Sequence, residues 1–441
     1  RGPEDSHVVS AGDVLLGHSR LSIIDLAGGA QPMSSHDGRY WIAFNGEIFN
    51  YVELRSALES EGCVFRTQSD TEVILESYRT WGLECFSRLN GQWALALWDR
   101  GQGRIVLSRD RVGIRPLYYT HVGDSLLFAS EVKALFCHPD VERRFDPAGV
   151  AQTFTFWCPV APQTPYEGVH QLPPGTVMTV DTSTGERQTA AYWTLTYNDD
   201  SVVRGASVGE NAHKLRESLV DAARLRFSRS DVPVGAYLSG GIDSTITAAV
   251  LAEYTEAPLQ TFSVAFKDSE FDESGYQDLV AERLGTTHHR INVDAADIGE
   301  LFPEVVWHGE QPILRTAPAP LYMLSGLVHD LDFKVVVTGE GADEMLAGYD
   351  IFREAAVRRL VAEHPDAVNA QELVLRLYPW MKRSPAQAPA FAKAFFSQAG
   401  DPSDPAFSHR PRWRTSAALL RMLHPEFGAP DGDTGASALT A

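Results

Sequence analysis

Basic side chains are scarce in this sequence: Lys and Arg total 38 against 58 Asp and Glu, for a formal net charge of −20. A surface of that sign repels phosphate backbones and anionic headgroups, which argues against nucleic-acid and membrane partners. Cysteine is scarcer still. Cys63, Cys85, Cys137 and Cys158 form no CxxC pair and are too few to brace 441 residues, so they read as buried thiols of a reducing, cytoplasmic compartment. Long apolar runs are also missing. The densest patches, Trp93 to Trp98 and Ile246 to Ala252, fall short of the ~18 residues a spanning helix needs. There are no internal repeats. The sequence opens at Arg1 without a charged-then-apolar leader, so a natural start upstream is expected.

What is present is a globular balance, 44% hydrophobic and 22% charged, enough for two large domains. The first part, residues 1–196, is rich in short strand-like runs (Tyr40 to Phe44, Trp93 to Trp98, Ile105 to Ser108, Leu126 to Ala129). Two helical patterns interrupt them, Tyr51 to Glu61 and Thr71 to Trp81, the second behind the cap candidates Ser69 and Asp70. This reads as a sheet-rich α+β domain. A polar stretch from Tyr197 to Glu210 reads as a linker. Beyond it the texture changes. A helix (Asn211 to Arg226), an apolar strand (Val232 to Leu238), a helix (Ser244 to Tyr254), a strand (Thr261 to Phe266) and a later strand (Lys334 to Val337) predict a parallel α/β sheet over about 210–400. Residues 428–441 have the composition of a disordered tail.

Two motifs carry chemistry. Ser239, Gly240, Gly241, Ile242, Asp243 and Ser244 sit between a strand and a helix, where backbone N–H groups face an anion and glycines let the chain approach it. No Lys follows the second glycine, so this is not the loop of P-loop nucleotide hydrolases; Asp243 is placed instead to hold Mg²⁺. Thr338, Gly339, Glu340, Gly341, Ala342, Asp343 and Glu344 again follow an apolar strand. Ligands of open α/β sheets bind beyond strand carboxyl ends, so two such ends could hold a triphosphate and Mg²⁺ between them. Alone, the first motif could also be an ordinary capped βα turn, and the second a solvated acidic turn.

Together they resemble a known family. SGGIDS resembles the pyrophosphate loop of ATP pyrophosphatases, and with TGEGADE it looks like the synthetase domain of glutamine-dependent asparagine synthetases. RGPED, RLSIID, GAQPM, NGEIFN, SDTEVIL, RDRVGIRPLYY and FASEVKAL resemble, in order, that family's class II glutaminase domain. The resemblance implies an Ntn-hydrolase-type αββα sandwich followed by a Rossmann-like α/β ATP-pyrophosphatase domain. It also implies glutamine, ATP, Mg²⁺ and aspartate or another carboxylic acid as ligands, and leaves a homodimer open.

Releasing ammonia from an amide needs a nucleophile, an oxyanion hole and a grip on the amino-acid end. By resemblance, Arg20 with Leu21, Ser22, Ile23 and Ile24 holds the glutamine carboxylate, Asn45 and Gly46 stabilise the oxyanion, and Glu47 and Asp70 engage the ammonium. Read without the resemblance, Asn45 and Gly46 could be a tight hairpin turn, Arg20 a surface ion pair and Asp70 a helix cap. Likewise by resemblance, Ser239 to Ser244 take the pyrophosphate, Leu238 and Val264 the adenosine, and Thr338 and Gly339 further nucleotide contacts. Asp243 and Asp343 are the Mg²⁺ candidates, and Glu340 matches a position associated with forming the acyl-adenylate.

Three departures stand out. The family's nucleophile is an N-terminal cysteine, and none of the four cysteines occupies that position, so truncation is expected there. Relatives often carry a stretch like ETxDxTTxRAS where this sequence has Glu310 to Thr316, which keeps other acceptor acids open. The basic residue and ExRxPFLD-like segment that complete the synthetase site are not found before Ala441. Three readings follow: an asparagine-forming amidotransferase, a relative that amidates or cyclises another acid, and an inactive ligand-binding fragment.

Overall fold

The computed structural model describes residues 2–196, 207–364 and 401–427, with Leu373 and Leu377 as isolated positions. The expected tail at 428–441 and most of the expected linker lie outside them.

The N-terminal part is built from antiparallel strands: β1 (Asp5–Ala11), β2 (Val14–Arg20), β3 (Met33–Ser34), β4 (Tyr40–Ile48), β5 (Gly91–Asp99), β6 (Arg104–Arg109), β7 (Tyr118–Val122), β8 (Ser125–Ala129), β9 (His170–Gln171), β10 (Thr176–Asp181) and β11 (Arg187–Ala191). Six of them form a sheet in the order β11-β10-β6-β5-β4-β3, while β1-β2 and β8-β7-β9 form a second layer. The central strand β5 is buried on both faces, and its side chains alternate between two cores as a pleated strand requires. Trp93, Leu95 and Leu97 pack with Ile42, Phe44, Val73 and Ile74 against α1 (Tyr51–Ser60), α2 (Asp70–Trp81) and α3 (Cys85–Arg88). Ala94, Ala96 and Trp98 face the other way, onto Val14 and Leu16 of β2 and Tyr119 of β7. On the outer side of β7-β8 lies α4 (Val132–Leu135), with Val132 and Leu135 in a further cluster, and α5 (Pro147–Phe156) follows it. The layering is α-β-β-α.

A helix α6 (Val208–Ser228) opens the second part three residues earlier than its apolar pattern suggests, because Ser207 and Glu210 form a reciprocal capping box. Four parallel strands follow, β12 (Val234–Tyr237), β13 (Gln260–Phe266), β14 (Thr287–Val293) and β15 (Val335–Val337), in the order β14-β13-β12-β15. Helices α6, α7 (Ile242–Ala252) and α8 (Ser274–Leu284) cover one face. α10 (Pro318–Asp330) covers the other, with Leu324 and Val328 against Phe262, and α9 (Ala295–Gly309) packs beside it. The strand order reverses between β12 and β15, which places the ligand crevice of an open α/β sheet at their carboxyl ends. Beyond β15 come α11 (Ala342–Leu346), α12 (Asp350–Glu363) and α13 (Arg410–Ala417).

The two parts are pinned together by polar contacts. Asp231 accepts from the Asp25 N–H at 2.7 Å, Lys334 pairs with Glu4, and Arg229 pairs with Glu53. Arg226 lies 4.4 Å over the Phe49 ring. The cysteine expectation needs correction: Cys63 and Cys85 are buried, but Cys137 and Cys158 are exposed, since the short segments that carry them lie outside the sheets.

Candidate functional site

In the second part, a cavity of about 440 Å³ opens at the carboxyl ends of β12 and β15. The strand β12 ends just before Leu238, whose N–H donates to the Phe262 carbonyl at 2.9 Å and keeps the chain in register with β13 until the turn begins. The turn is then closed by hydroxyls: the Ser239 N–H donates to Ser244 Oγ at 3.1 Å and the Gly241 N–H to Ser239 Oγ at 3.3 Å. Gly240 has φ +86°, and a Cβ there would press on Tyr276 at 3.0 Å, so only glycine fits the bend. Helix α7 starts at Ile242 behind Gly241, and no side chain caps its first N–H groups, which leaves that end to an anion.

The second loop comes against the first. A Cβ on Gly339 would lie 3.1–3.2 Å from the Asp243 backbone and side chain, so the two glycine-bearing turns come close enough that a side chain there would crowd Asp243. Leu238, Ser239, Asp243, Ser244, Val264, Thr338, Gly339, Glu340 and Asp343 all line the cavity; Gly240, Gly241 and Ile242 of the expected set do not. The charges of Asp243 and Glu344 add to desolvation in lifting the Asp343 carboxyl above its ordinary range. Two carboxylates that repel each other at the mouth of a nucleotide-sized cavity suit Mg²⁺, which takes one or two protein carboxylates and completes its shell with phosphate oxygens. Among the described residues no group of three or more His, Cys, Asp or Glu side chains is placed to hold a metal ion. Beneath the loops lies a residue that sequence reading missed. Gln277 is buried; its amide donates to the Val264 carbonyl at 2.9 Å and accepts from Ser263 at 2.8 Å, tying β13 to α8.

On the glutamine side, Asn45 and Gly46 are not a hairpin turn. They lie within β4, opposite Ala94 and Trp93 of β5. Gly46 has φ +154°, and a Cβ there would overlap the Gln92 carbonyl oxygen, so glycine is required. Glu47 is buried, and desolvation lifts its carboxyl while Arg115 and Arg226 pull it back. Asp70 is the first residue of α2, with Ser69 rather than Asp70 as the cap. Burial pushes Asp70 up to about 7, although it accepts from the Ile48 N–H at 3.0 Å; the nearby Glu47 charge adds to the rise.

Arg20 is buried, and its terminal nitrogens donate to the carbonyls of Leu26 at 3.1 Å, Ile24 at 3.1 Å and Asp25 at 2.7 Å. It therefore shapes the loop through Leu21, Ser22, Ile23 and Ile24, whose neighbour Asp25 accepts from Gln68 N–H at 2.7 Å, beside the start of α2. A separate cavity of about 1110 Å³ between the two sheet layers is lined by Asn45 together with His18, Ser130 and Leu135, and not by Arg20, Glu47 or Asp70. Asn45 reaches Ser130 at 3.4 Å. His18 donates through Nε2 to the Phe44 carbonyl at 3.0 Å, and burial pushes its imidazole below its ordinary range. No local pattern in the sequence marks His18 or Ser130 as part of this wall.

The two parts are a layered antiparallel sandwich and a four-stranded parallel sheet with a cavity at its switch point. The comparisons assign each part to a domain family. The family model for the glutamine amidotransferase domain matches residues 1–193, and that for asparagine synthase matches residues 214–426. Glutamine-hydrolysing asparagine synthetase 1 of Bacillus subtilis is 36% identical over 355 residues, which cover 80% of this chain and 55% of that protein. A putative asparagine synthetase of Methanocaldococcus jannaschii is 32% identical, over 79% of this chain and 70% of its own length. The amidase chyE of Penicillium rubens is 35% identical, over 80% of this chain and 54% of that protein. The chain belongs to the glutamine-hydrolysing asparagine synthetase family. It spans a little over half the length of the first Bacillus relative.

Proposed function

We propose that this chain carries the glutamine-binding and ATP-binding sites of an amidotransferase that converts aspartate to asparagine. The observation that carries the reading is the meeting of the SGGIDS and TGEGADE turns around one cavity at the switch point. A carboxylate resists ammonia because its leaving group would be oxide. Attack of the acid's oxygen on the α-phosphorus of ATP expels pyrophosphate and leaves an acyl-adenylate, whose AMP is a good leaving group when ammonia adds. Ser239 to Ser244 would bind the pyrophosphate, Leu238 and Val264 the adenosine, Thr338 and Gly339 further nucleotide atoms, and Glu340 would act beside the acyl-adenylate. Asp243 and Asp343 would hold Mg²⁺, which neutralises charge on the departing pyrophosphate.

In the other domain, Arg20 would fix the loop Leu21 to Ile24 around the glutamine carboxylate, Glu47 and Asp70 would meet its ammonium, and Asn45 with Gly46 would face the oxyanion. None of the four cysteines lines the cavity at Asn45, and burial pushes the Cys85 thiol up and away from thiolate. An amidotransferase acting on another carboxylic acid is the alternative reading, because the Glu310 to Thr316 stretch departs from the family's pattern. The four free cysteines suit a reducing cytoplasm.

Titration calorimetry on this chain tests the reading. Glutamine and a non-hydrolysable ATP analogue with Mg²⁺ should each bind at one site. Because an ammonium beside Asp70 would pull its raised pKa down, glutamine should release a fraction of a proton at pH 7, visible as a buffer-dependent heat. Absence of binding by either ligand would refute the proposal.

A further inference from the structure

The stretch that departs from its relatives begins with a residue that neither site uses. Glu310 ends α9 in the left-handed region, φ +58°, and its N–H closes the helix on the Val306 carbonyl at 2.9 Å. Its side chain, 9% exposed, crosses to the other domain. There its two oxygens accept from the Val132 N–H at 2.9 Å and the Lys133 N–H at 2.8 Å, the first two N–H groups of α4. The Lys133 ammonium lies 3.6 Å from the same carboxylate, and Tyr166 donates its hydroxyl to the Glu310 carbonyl at 2.9 Å. A four-residue helix cannot satisfy its leading N–H groups itself, so the completion of α4 depends on a residue of the other domain.

Both ends of this contact lead to a site. On one side, only Glu131 separates α4 from Ser130, the partner of Asn45, and Ala134 and Leu135 line the same cavity as Asn45. On the other, the chain runs from Glu310 past Arg315, held over Trp157, into Ala317, Pro320 and Leu321, which line the nucleotide cavity. The segment is clamped to the first domain at two points and forms a wall of the second domain's cavity immediately after.

We propose that Glu310 is a positioning residue that couples the two sites, so that occupancy of the nucleotide cavity is transmitted through the Glu310 carboxylate and α4 to the Asn45 side of the glutamine site. The inference rests on the function proposed above. Coupling is reciprocal and appears as a change in one ligand's affinity when the other is bound. A contact that only holds the domains together alters stability and leaves that ratio alone.

The experiment measures glutamine affinity by calorimetry with and without a saturating non-hydrolysable ATP analogue and Mg²⁺, for the chain as it stands and for Glu310→Ala and Glu310→Gln. The nucleotide analogue should change the wild-type glutamine Kd by about fivefold or more. In Glu310→Ala the ratio should fall to about one while each ligand alone binds within about twofold of wild type, and Glu310→Gln, which keeps one acceptor, should fall between. Should Glu310→Ala fail to fold on a thermal scan, Glu310→Gln alone decides. A wild-type ratio of one, or full retention of the ratio in the variant that decides, overturns the coupling while leaving both sites intact. Failure of wild type to bind either ligand overturns the function proposed above and the coupling with it.

Discussion

Asp70 shows how one residue's surroundings set its chemistry. A carboxyl normally near 3.8 sits at about 7 because the helix start and β4 exclude water from it. The folded protein therefore keeps a proton that the unfolded chain gives up. The stabilisation is complete below pH 3.8 and drains away as pH rises toward 7, by up to ~1.4 kcal/mol per pH unit. Asp70→Asn, which keeps a neutral side chain of the same shape, should remove that slope. Urea unfolding at pH 5 and pH 8 checks it: the wild type should lose stability relative to the variant across this interval, and parallel profiles would contradict the raised pKa. Gly46 makes a different point. Asn-Gly in sequence is a strong hairpin signal, but nine residue pairs between β4 and β5 outweigh the local preference, and the positive φ serves close contact with Gln92 instead of a turn.

At the scale of elements, the strands with two apolar faces were the most legible. Trp93 to Trp98 announces a doubly covered strand, and β5 adds little to it at either end. Its packing predicts the cost of damage. Leu97 is fully buried among the helix-facing core residues, so Leu97→Ala should cost about 2–5 kcal/mol of unfolding free energy by chemical denaturation, a transfer penalty plus an unfilled hole. A loss under about 1 kcal/mol would mean the layer repacks freely. The hairpin β1-β2 was not legible, because most of β1 is exposed and apolar residues therefore give it no period. The two turns at the carboxyl ends of β12 and β15 could be read from their glycines and carboxylates, whose spacing is a local property. Glu310 could not: its partners lie 177 and 178 residues away, and nothing in its neighbours marks a side chain that completes another domain's helix.

Across the whole molecule, the two domains share one interface in which both sites have a stake. Lys334, just before β15, donates to the Ser22 carbonyl in the Arg20 loop, and Asp231, just before β12, holds Asp25. The entry ends of β12 and β15 thus brace the Arg20 loop, while their exit ends line the cavity proposed to take ATP. The central claim is that this cavity activates a carboxylic acid with ATP. The most direct test is pyrophosphate release by this chain with ATP, Mg²⁺ and ammonia, comparing aspartate with a panel of other carboxylic acids, alongside Asp243→Ala. The account predicts release that depends on aspartate, yields asparagine, and is abolished in Asp243→Ala while glutamine still binds. Release with a different acid would move the substrate but keep the chemistry; no release with any acid, from a chain that binds the ATP analogue, would contradict the claim.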